Sequence, residues 1–372
     1  MAVKCQTVID IMERMAPLNL AEDWDNVGLQ VGDPAADTDR VLVTLDVNAE
    51  VVNEAITKNA RMIVTHHPLI YQPLKNLRYD KPLGALIKVL VDNSIVVYCA
   101  HTNLDSAAAG VNEMLARKLG LTDINVLSPD KGEKLFKIVV FIPLGHEDRV
   151  REAISRAGAG WIGNYSECTF QITGTGTFRA LAGANPFIGK VGKLERVEEL
   201  RLETIVPDKW LSRVIKAMIE THPYEEVAYD VYPLANEGSR LGLGRIGKLP
   251  QPVSFDEFCR QVKSALAVDN VKIGGSLADR VHKIAVCGGS GAGLMSKAMA
   301  AGADVLVTGD LKYHDGQAGL AMGIKFIDAG HYATERVILG QVTEVIRQAA
   351  KETNMDIDVL ISEVNTDPFG FF

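Results

Sequence analysis

Two histidines, His66 and His67, stand side by side where an apolar run stops. The run Met62-Ile63-Val64-Thr65 reads as a buried parallel strand, and Pro68 behind the pair bars its continuation. Neighbouring side chains on a regular strand point to opposite faces, so adjacent imidazoles serve one site only where the strand gives way to a loop. In an open α/β sheet such strand ends are where ligands and metals bind. Downstream, His101 is followed by Asp105 and His331 by Glu335, each an acid four residues on. On a helix starting near residue 331, His331 and Glu335 share one face a turn apart and can reach one metal cluster. His66, His67, Asp105, His331 and Glu335 thus offer imidazoles and carboxylates that suit Zn²⁺ first, with Fe or Mn as alternatives. Five ligands exceed what one open zinc site needs and a carboxylate can bridge, so two divalent metal ions per subunit, about 3.5–4 Å apart, are expected.

Further residues surround this set. His101 and His314 are candidate acid/base groups, or partners that orient a ligand. Asp46 and Asp310 end neighbouring strands and either face the site or cap a loop. His222, in His222-Pro223-Tyr224-Glu225-Glu226, reads as structural or interfacial, and His146 and His282 carry no signal. Gly288-Gly289-Ser290-Gly291-Ala292-Gly293 follows a strand and opens a helix, as a phosphate-cradling loop does. It lacks the Gly-Lys-Ser/Thr of a Walker loop, so a tight turn bringing a helix onto the sheet is the preferred reading. Cys99 and Cys287 lie in buried runs and read as small hydrophobes, so the expected nucleophile is a metal-bound hydroxide, not a thiolate.

The elements that must position these residues alternate through residues 1–128. Val41–Leu45 leads into a helix capped by Asn48, and the doublet strand follows. A helix near 82–92, a strand Ile95–Cys99 and a helix from about 106 to 119 complete a βαβ pattern with a mainly parallel sheet. The same order returns in 237–372, where strands Ile284–Cys287, Val305–Thr308 and Lys325–Ile327 alternate with helices. Ala60–Thr65 aligns with Ala303–Thr308, and His101/Asp105 with His331/Glu335, which predicts a duplicated α/β core with its site between the halves. Residues 129–236 break the pattern between the turn-rich stretches Ser128–Gly132 and Ala235–Ser239. Strands at 136–142, 168–172, 200–206 and 227–232, with helices at 147–158 and 208–220, predict an inserted ferredoxin-like α+β domain.

A chain of 372 residues calls for two or three domains. With 47% hydrophobic and 23% charged residues it is of ordinary globular composition. No run approaches the length of a membrane span, and Met1–Gln6 carries no apolar signal core. Five cysteines without paired spacing fit a reducing cytosol, so a cytoplasmic location is expected. The net charge of −8 argues against a broad grip on nucleic acid.

Trp24-Asp25-Asn26-Val27-Gly28-Leu29, Thr65–Leu69, His101–Asp105, Thr308-Gly309-Asp310 and Gly330–Glu335 together resemble the Nif-three-like family, whose bacterial members are labelled GTP cyclohydrolase I type 2 homologues. The insert, with Thr221–Asp230, resembles the extra domain of the YqfO-like branch, which is similar to PII and CutA signalling domains. The resemblance implies a dinuclear site with His66 and His331 on one metal, His67 and Asp105 on the other, and Glu335 bridging. It also implies a toroidal homohexamer, with metal sites facing an inner cavity and inserts associating as trimers. The function expected is a dinuclear-metal-dependent hydrolase acting on an unidentified small substrate, a nucleotide or purine among the candidates. The alternative is a non-enzymatic metal-binding regulatory or chaperone hexamer whose PII-like insert senses a partner or metabolite.

Overall fold

The computed structural model describes residues 3–132, 134–236, 238 and 240–370; Met1, Ala2, Glu133, Glu237, Ser239, Phe371 and Phe372 lie outside the described residues. The chain forms two compact units, Met1–Lys131 with Leu241–Phe372, and Gly132–Arg240. The first boundary falls later than the turn signals predict, because Ser128–Gly132 is the end of a strand, Thr122–Gly132. That strand is at the edge of its sheet, where Pro129 costs no ladder hydrogen bond to a second neighbour. Of the second expected turn, Glu237 and Ser239 lie outside the described residues.

The first unit holds two sheets. One runs Asp358–Ile361, Arg40–Thr44, Met62–Thr65, Val96–Cys99 and Gly28–Val31, parallel except for the last pairing. The other runs Lys272–Gly274, Lys325–Asp328, Val305–Gly309, Arg280–Ser290, Arg240–Ser254 and Thr122–Gly132. Its central strands Arg280–Ser290, Val305–Gly309 and Lys325–Asp328 are parallel. Each sheet therefore places three consecutive parallel strands side by side in chain order, and each third strand leads into a five-residue helix, Thr102–Ser106 or His331–Glu335. The duplication legible in the sequence is present in the topology.

Burial explains the strands. Met62–Thr65 and Val96–Cys99 are buried at every position, as central parallel strands covered on both faces must be. Helix Ala49–Thr57 starts where the Asn48 side chain accepts from Val51 N at 2.9 Å, and Pro82 opens Pro82–Asp92 without forfeiting a helical N–H bond. The single helix expected from 106 to 119 is instead two, Thr102–Ser106 and Val111–Lys118. The break is enforced at Gly110, where a Cβ would sit 1.6 Å from Leu104 O, so the chain folds back on itself too tightly for a continuous helix.

The second unit has the order strand Leu135–Pro143, helix Glu147–Arg156, strands Thr169–Arg179 and Leu194–Pro207, helix Asp208–Thr221, strand Tyr229–Leu234. The sheet runs last, first, third, second, with every pairing antiparallel. Ile138, Val140, Ile142 and Leu202 pack under Val150, Ile154, Val214 and Met218 of the two helices. The middle strands are longer than expected; in Thr169–Arg179 most of Gln171–Arg179 is exposed, so it lacks the regular apolar alternation that marks a half-buried strand.

Candidate metal centre

The doublet escapes the opposite-faces rule because it lies just past the strand end. His66 N and His67 N donate to Thr44 O (3.2 Å) and Leu45 O (2.8 Å), and the Thr65 hydroxyl donates to Leu45 O at 2.8 Å. These bonds hold the turn so that both rings face one point, their centroids 4.9 Å apart.

The second nitrogen of each ring decides what the first can do. His66 Nδ1 lies 2.9 Å from Ala100 O. A carbonyl oxygen only accepts, so Nδ1 carries the proton and Nε2 presents a lone pair. His67 Nδ1 lies 2.8 Å from Asp46 Oδ1, His331 Nδ1 2.7 Å from Asp310 Oδ2, and His101 Nδ1 2.9 Å from Asp25 Oδ1. All four imidazoles are thus held through Nδ1–H by an oxygen, the arrangement that fixes tautomer and orientation in metal-binding histidines.

The Nε2 atoms converge on two carboxylates. His67 Nε2 and His331 Nε2 lie 2.9 and 3.0 Å from Glu335 Oε2, and 3.3 Å from each other. His66 Nε2 lies 3.7 Å from both Asp105 Oδ1 and Glu335 Oε1. His66 Nε2, Asp105 Oδ1 and Glu335 Oε2 are buried without an aligned hydrogen-bond partner. Close approach without alignment, between atoms that water does not reach, is what a bound cation would resolve. Three sets of atoms lie close enough to hold an ion: His67/His331/Glu335, His66/Asp105/Glu335 and His66/His67/His101. Glu335 belongs to the first two, as a bridging carboxylate would. In these groups His66 stands with Asp105 and His67 with His331, whereas the resemblance implies His66 with His331 and His67 with Asp105.

Electrostatics in the ion-free protein follow from this crowding. Burial disfavours charge on His67, yet Asp46 and Glu335 outweigh it and hold its pKa up at about 10. Pairing with Glu335 raises His331 to about 9. Burial, with Glu335 nearby, lifts Asp105 to about 7. Glu335 is buried but stays well below the usual carboxylate range because His66, His331 and His67 face it. Protons therefore hold together a cluster whose donors could instead serve metal ions.

The glycine turn makes room for this cluster. A Cβ on Gly289, which has φ +61°, would fall 2.2 Å from Glu335 Oε1, and one on Gly309 2.7 Å from His331 N. The N–H groups of Gly288, Gly289 and Gly291 donate to Asn112 Oδ1, Thr334 Oγ1 and Thr308 Oγ1 at 2.9, 3.0 and 2.8 Å, so they do not cradle a phosphate. Asn112 also donates to Asp105 O at 3.0 Å, joining the Asp105 helix to the glycine turn. Buried Arg245 donates to Ala107 O at 2.6 Å and pairs with Glu113 at 3.2 Å, fixing the chain just after Asp105.

Other candidates fall outside the centre. His314 is exposed on the first turn of helix Tyr313–Met322, with Nδ1 3.2 Å from Gln317 Oε1 and its ring against Tyr313. Left-handed Asp310 (φ +56°) turns the chain after the strand, which brings its own carboxylate to His331 and carries His314 to the surface. His222 and His146 belong to the second unit. Burial pushes the Cys99 and Cys287 thiols up, so neither is a thiolate at neutral pH. Sequence reasoning assigned no role to Asp25. It lies in the quoted Trp24–Leu29 motif, but its partner His101 is 76 residues away. Exposed Trp24 flanks the same histidine, its ring centroid 6.1 Å from that of His101.

Among the described residues no helix is long and apolar enough to cross a membrane. The family description Duf34/NIF3 (NGG1p interacting factor 3) matches residues 3–368. A Halalkalibacterium halodurans protein named GTP cyclohydrolase 1 type 2 homolog is 48% identical over 366 residues, 98% of each chain. A Bacillus subtilis protein of the same name is 42% identical over 370 residues, 100% of this chain and 99% of the relative. The crystal structure of a Bacillus cereus protein related to NIF3 superposes with a TM-score of 0.94 at 44% identity, covering 100% of both chains. The chain belongs to the Duf34/NIF3 family.

Proposed function

We propose that this protein is a dinuclear-metal-dependent hydrolase acting on a small substrate, with a nucleotide or purine as the first class to test. The observation that carries the reading is the shared geometry of His66, His67 and His331, each tied through Nδ1 so that Nε2 faces Glu335, with Asp105 beside His66. Names of relatives that refer to GTP cyclohydrolase support the substrate class.

Divalent ions held by His66 with Asp105, and by His67 with His331, Glu335 serving both, would supply Lewis acidity and lower the pKa of a water. The chain's own residues do the rest. Asp46, Asp310 and the Ala100 carbonyl keep three imidazoles in the ligating tautomer. Asp25 accepts from His101, Thr102 N and Asn26 N; although burial opposes its charge, His101 and the Thr102 hydroxyl and N–H bring it down to about 2. An ionised Asp25 fixes the proton on His101 Nδ1 and leaves Nε2 to take a proton from, or return one to, a reacting group. His101 is therefore the acid/base residue of this reading, and surface-exposed His314 has no part in it. The reading includes a toroidal homohexamer with trimeric contacts through the insert, which sedimentation would test.

Metabolite profiling of cells lacking the gene, complemented with wild type or Glu335→Gln, tests the proposal. A metabolite that accumulates in both the deletion and the Glu335→Gln strain, and clears with wild type, is the expected result. Full rescue by Glu335→Gln would overturn it. A second reading, a metal-binding regulator, is favoured by the separate hydrophobic core of the second unit. It predicts ligand- or metal-dependent partner capture that persists without turnover and is lost when residues 129–236 are deleted.

A further inference from the structure

His67 and His331 do not face open solvent alone; beside them is a cavity of about 610 Å³. One side is made by Val268, Val271 and Lys272, another by Tyr332 and Ala333, and a third by the irregular segment Thr366–Gly370. We infer that the segment Thr366–Gly370 completes a substrate cavity at this centre, Phe369 walling the space for a flat apolar body and Thr366 positioning His67 through Asp46. The inference rests on the metal reading above and adds the ligand class.

The segment has no regular secondary structure, yet it is anchored before its start and at Thr366, with local turn bonds at its tip. Ser362 N donates to Val43 O at 2.9 Å and Glu363 N to Glu54 Oε1 at 3.0 Å, fixing its root on the first sheet. Asp367 N donates to Asn365 Oδ1 and Phe369 N to Asp367 Oδ1, each at 3.1 Å, shaping the tip. Between them the Thr366 hydroxyl donates to Asp46 Oδ2, while Asp46 Oδ1 accepts from His67 Nδ1. A chain of bonds therefore runs from Thr366 through Asp46 to the ring of His67, and Thr366 is a positioning residue. At the tip Phe369 remains 75% exposed although it lines the cavity, an unfilled aromatic face beside polar donors.

The lining also says what the ligand is. Asp46 and Asp310 are occupied by imidazoles, and Asp328 by Lys272 at 2.9 Å. Lys272, the one lysine among the described lining residues, is paired with Asp328, and no arginine lines the cavity among them. The volume lies in the range of small-molecule sites. The chemistry fits a ring-bearing molecule with an oxygen or nitrogen head directed at the histidines, and its recognition does not depend on a polyphosphate tail.

Zn²⁺-loaded full-length protein, titrated calorimetrically with benzohydroxamate and acetohydroxamate, tests this, because the two share a chelating head and differ in the ring. Benzohydroxamate should bind about ten-fold tighter, and Phe369→Ala should cut that preference to about three-fold or less while leaving acetohydroxamate unchanged. Thr366→Val should weaken Zn²⁺ binding by about three- to ten-fold, with Thr366→Ser restoring it. Equal binding of the two hydroxamates, or a Phe369→Ala protein with the full preference, overturns the cavity while acetohydroxamate binding keeps the metal reading intact. Unchanged Zn²⁺ affinity in Thr366→Val overturns the positioning role. Failure of the wild type to take up Zn²⁺ overturns both the inference and the metal reading.

Discussion

Histidines in the two units are used in opposite ways. In the second unit His222 is buried, its Nε2–H donating to Phe141 O at 3.0 Å and its Nδ1 accepting from Tyr224 N at 3.1 Å. Burial holds its pKa down, and as a neutral ring with both nitrogens bonded it has no lone pair to give. In the first unit His66 is also buried, but only Nδ1 is satisfied by the protein, and Nε2 faces the orphaned Asp105 Oδ1. Burial therefore does not separate a ligand from a structural histidine. What separates them is whether the second nitrogen has been given a partner.

Four measurements can break or sharpen that contrast. The largest effect belongs to Glu335→Gln, which removes the carboxylate common to two of the three ligand sets. It should lower metal affinity by more than about 100-fold, beyond what loss of an outer partner costs, as read by chelator competition. Metal content equal to wild type would remove the core histidines' special status. Asp46→Asn should cost about ten-fold in affinity, because His67 loses the charge that fixes its Nδ1 proton.

A third, smaller effect is pH-dependent. His67 and His331 in the ion-free fold have pKa values near 10 and 9, above the 6.5 of an unperturbed imidazole. Their stabilisation is complete below about pH 6.5 and is lost as pH rises through about 9 and 10. A ligating Nε2 carries no proton, so metal-loaded protein escapes that loss and metal uptake at neutral pH releases protons. The gap in Tm between loaded and ion-free protein should widen from pH 7 to pH 9.5; a constant gap would contradict this. The fourth change, His222→Phe, should leave metal content untouched and destabilise the second unit by about 1–3 kcal/mol, measured by denaturant unfolding, as Tyr224 N and Phe141 O lose their partner.

The difference between the units also explains what could be read beforehand. His66, His67, Asp105, His331 and Glu335 were legible because strand ends and a four-residue spacing are local signals, and the three-dimensional grouping brings all five together. Which of them stand nearest one another was not, because that depends on which atoms of two sheets meet. Asp46 and Asp310 were visible as strand-end acids, whereas Asp25 reaches His101 across 76 residues and leaves no local mark. The glycine turn reads as a helix approach in the sequence; its use is to admit the Glu335 carboxylate, a contact made by a residue 46 positions later. His314 shows the limit of the repeat: the strands superpose in order, but the chain after Asp310 leaves toward solvent.

The most direct test is a crystal structure of metal-loaded protein with anomalous difference maps collected at the metal edge. Two peaks are predicted, one reached by Nε2 of His66 with Asp105 and one by Nε2 of His67 and His331, with Glu335 contacting both. Absence of peaks at this cluster after loading, or ligation through Nδ1 with the bonds to Asp46 and Asp310 broken, would contradict it.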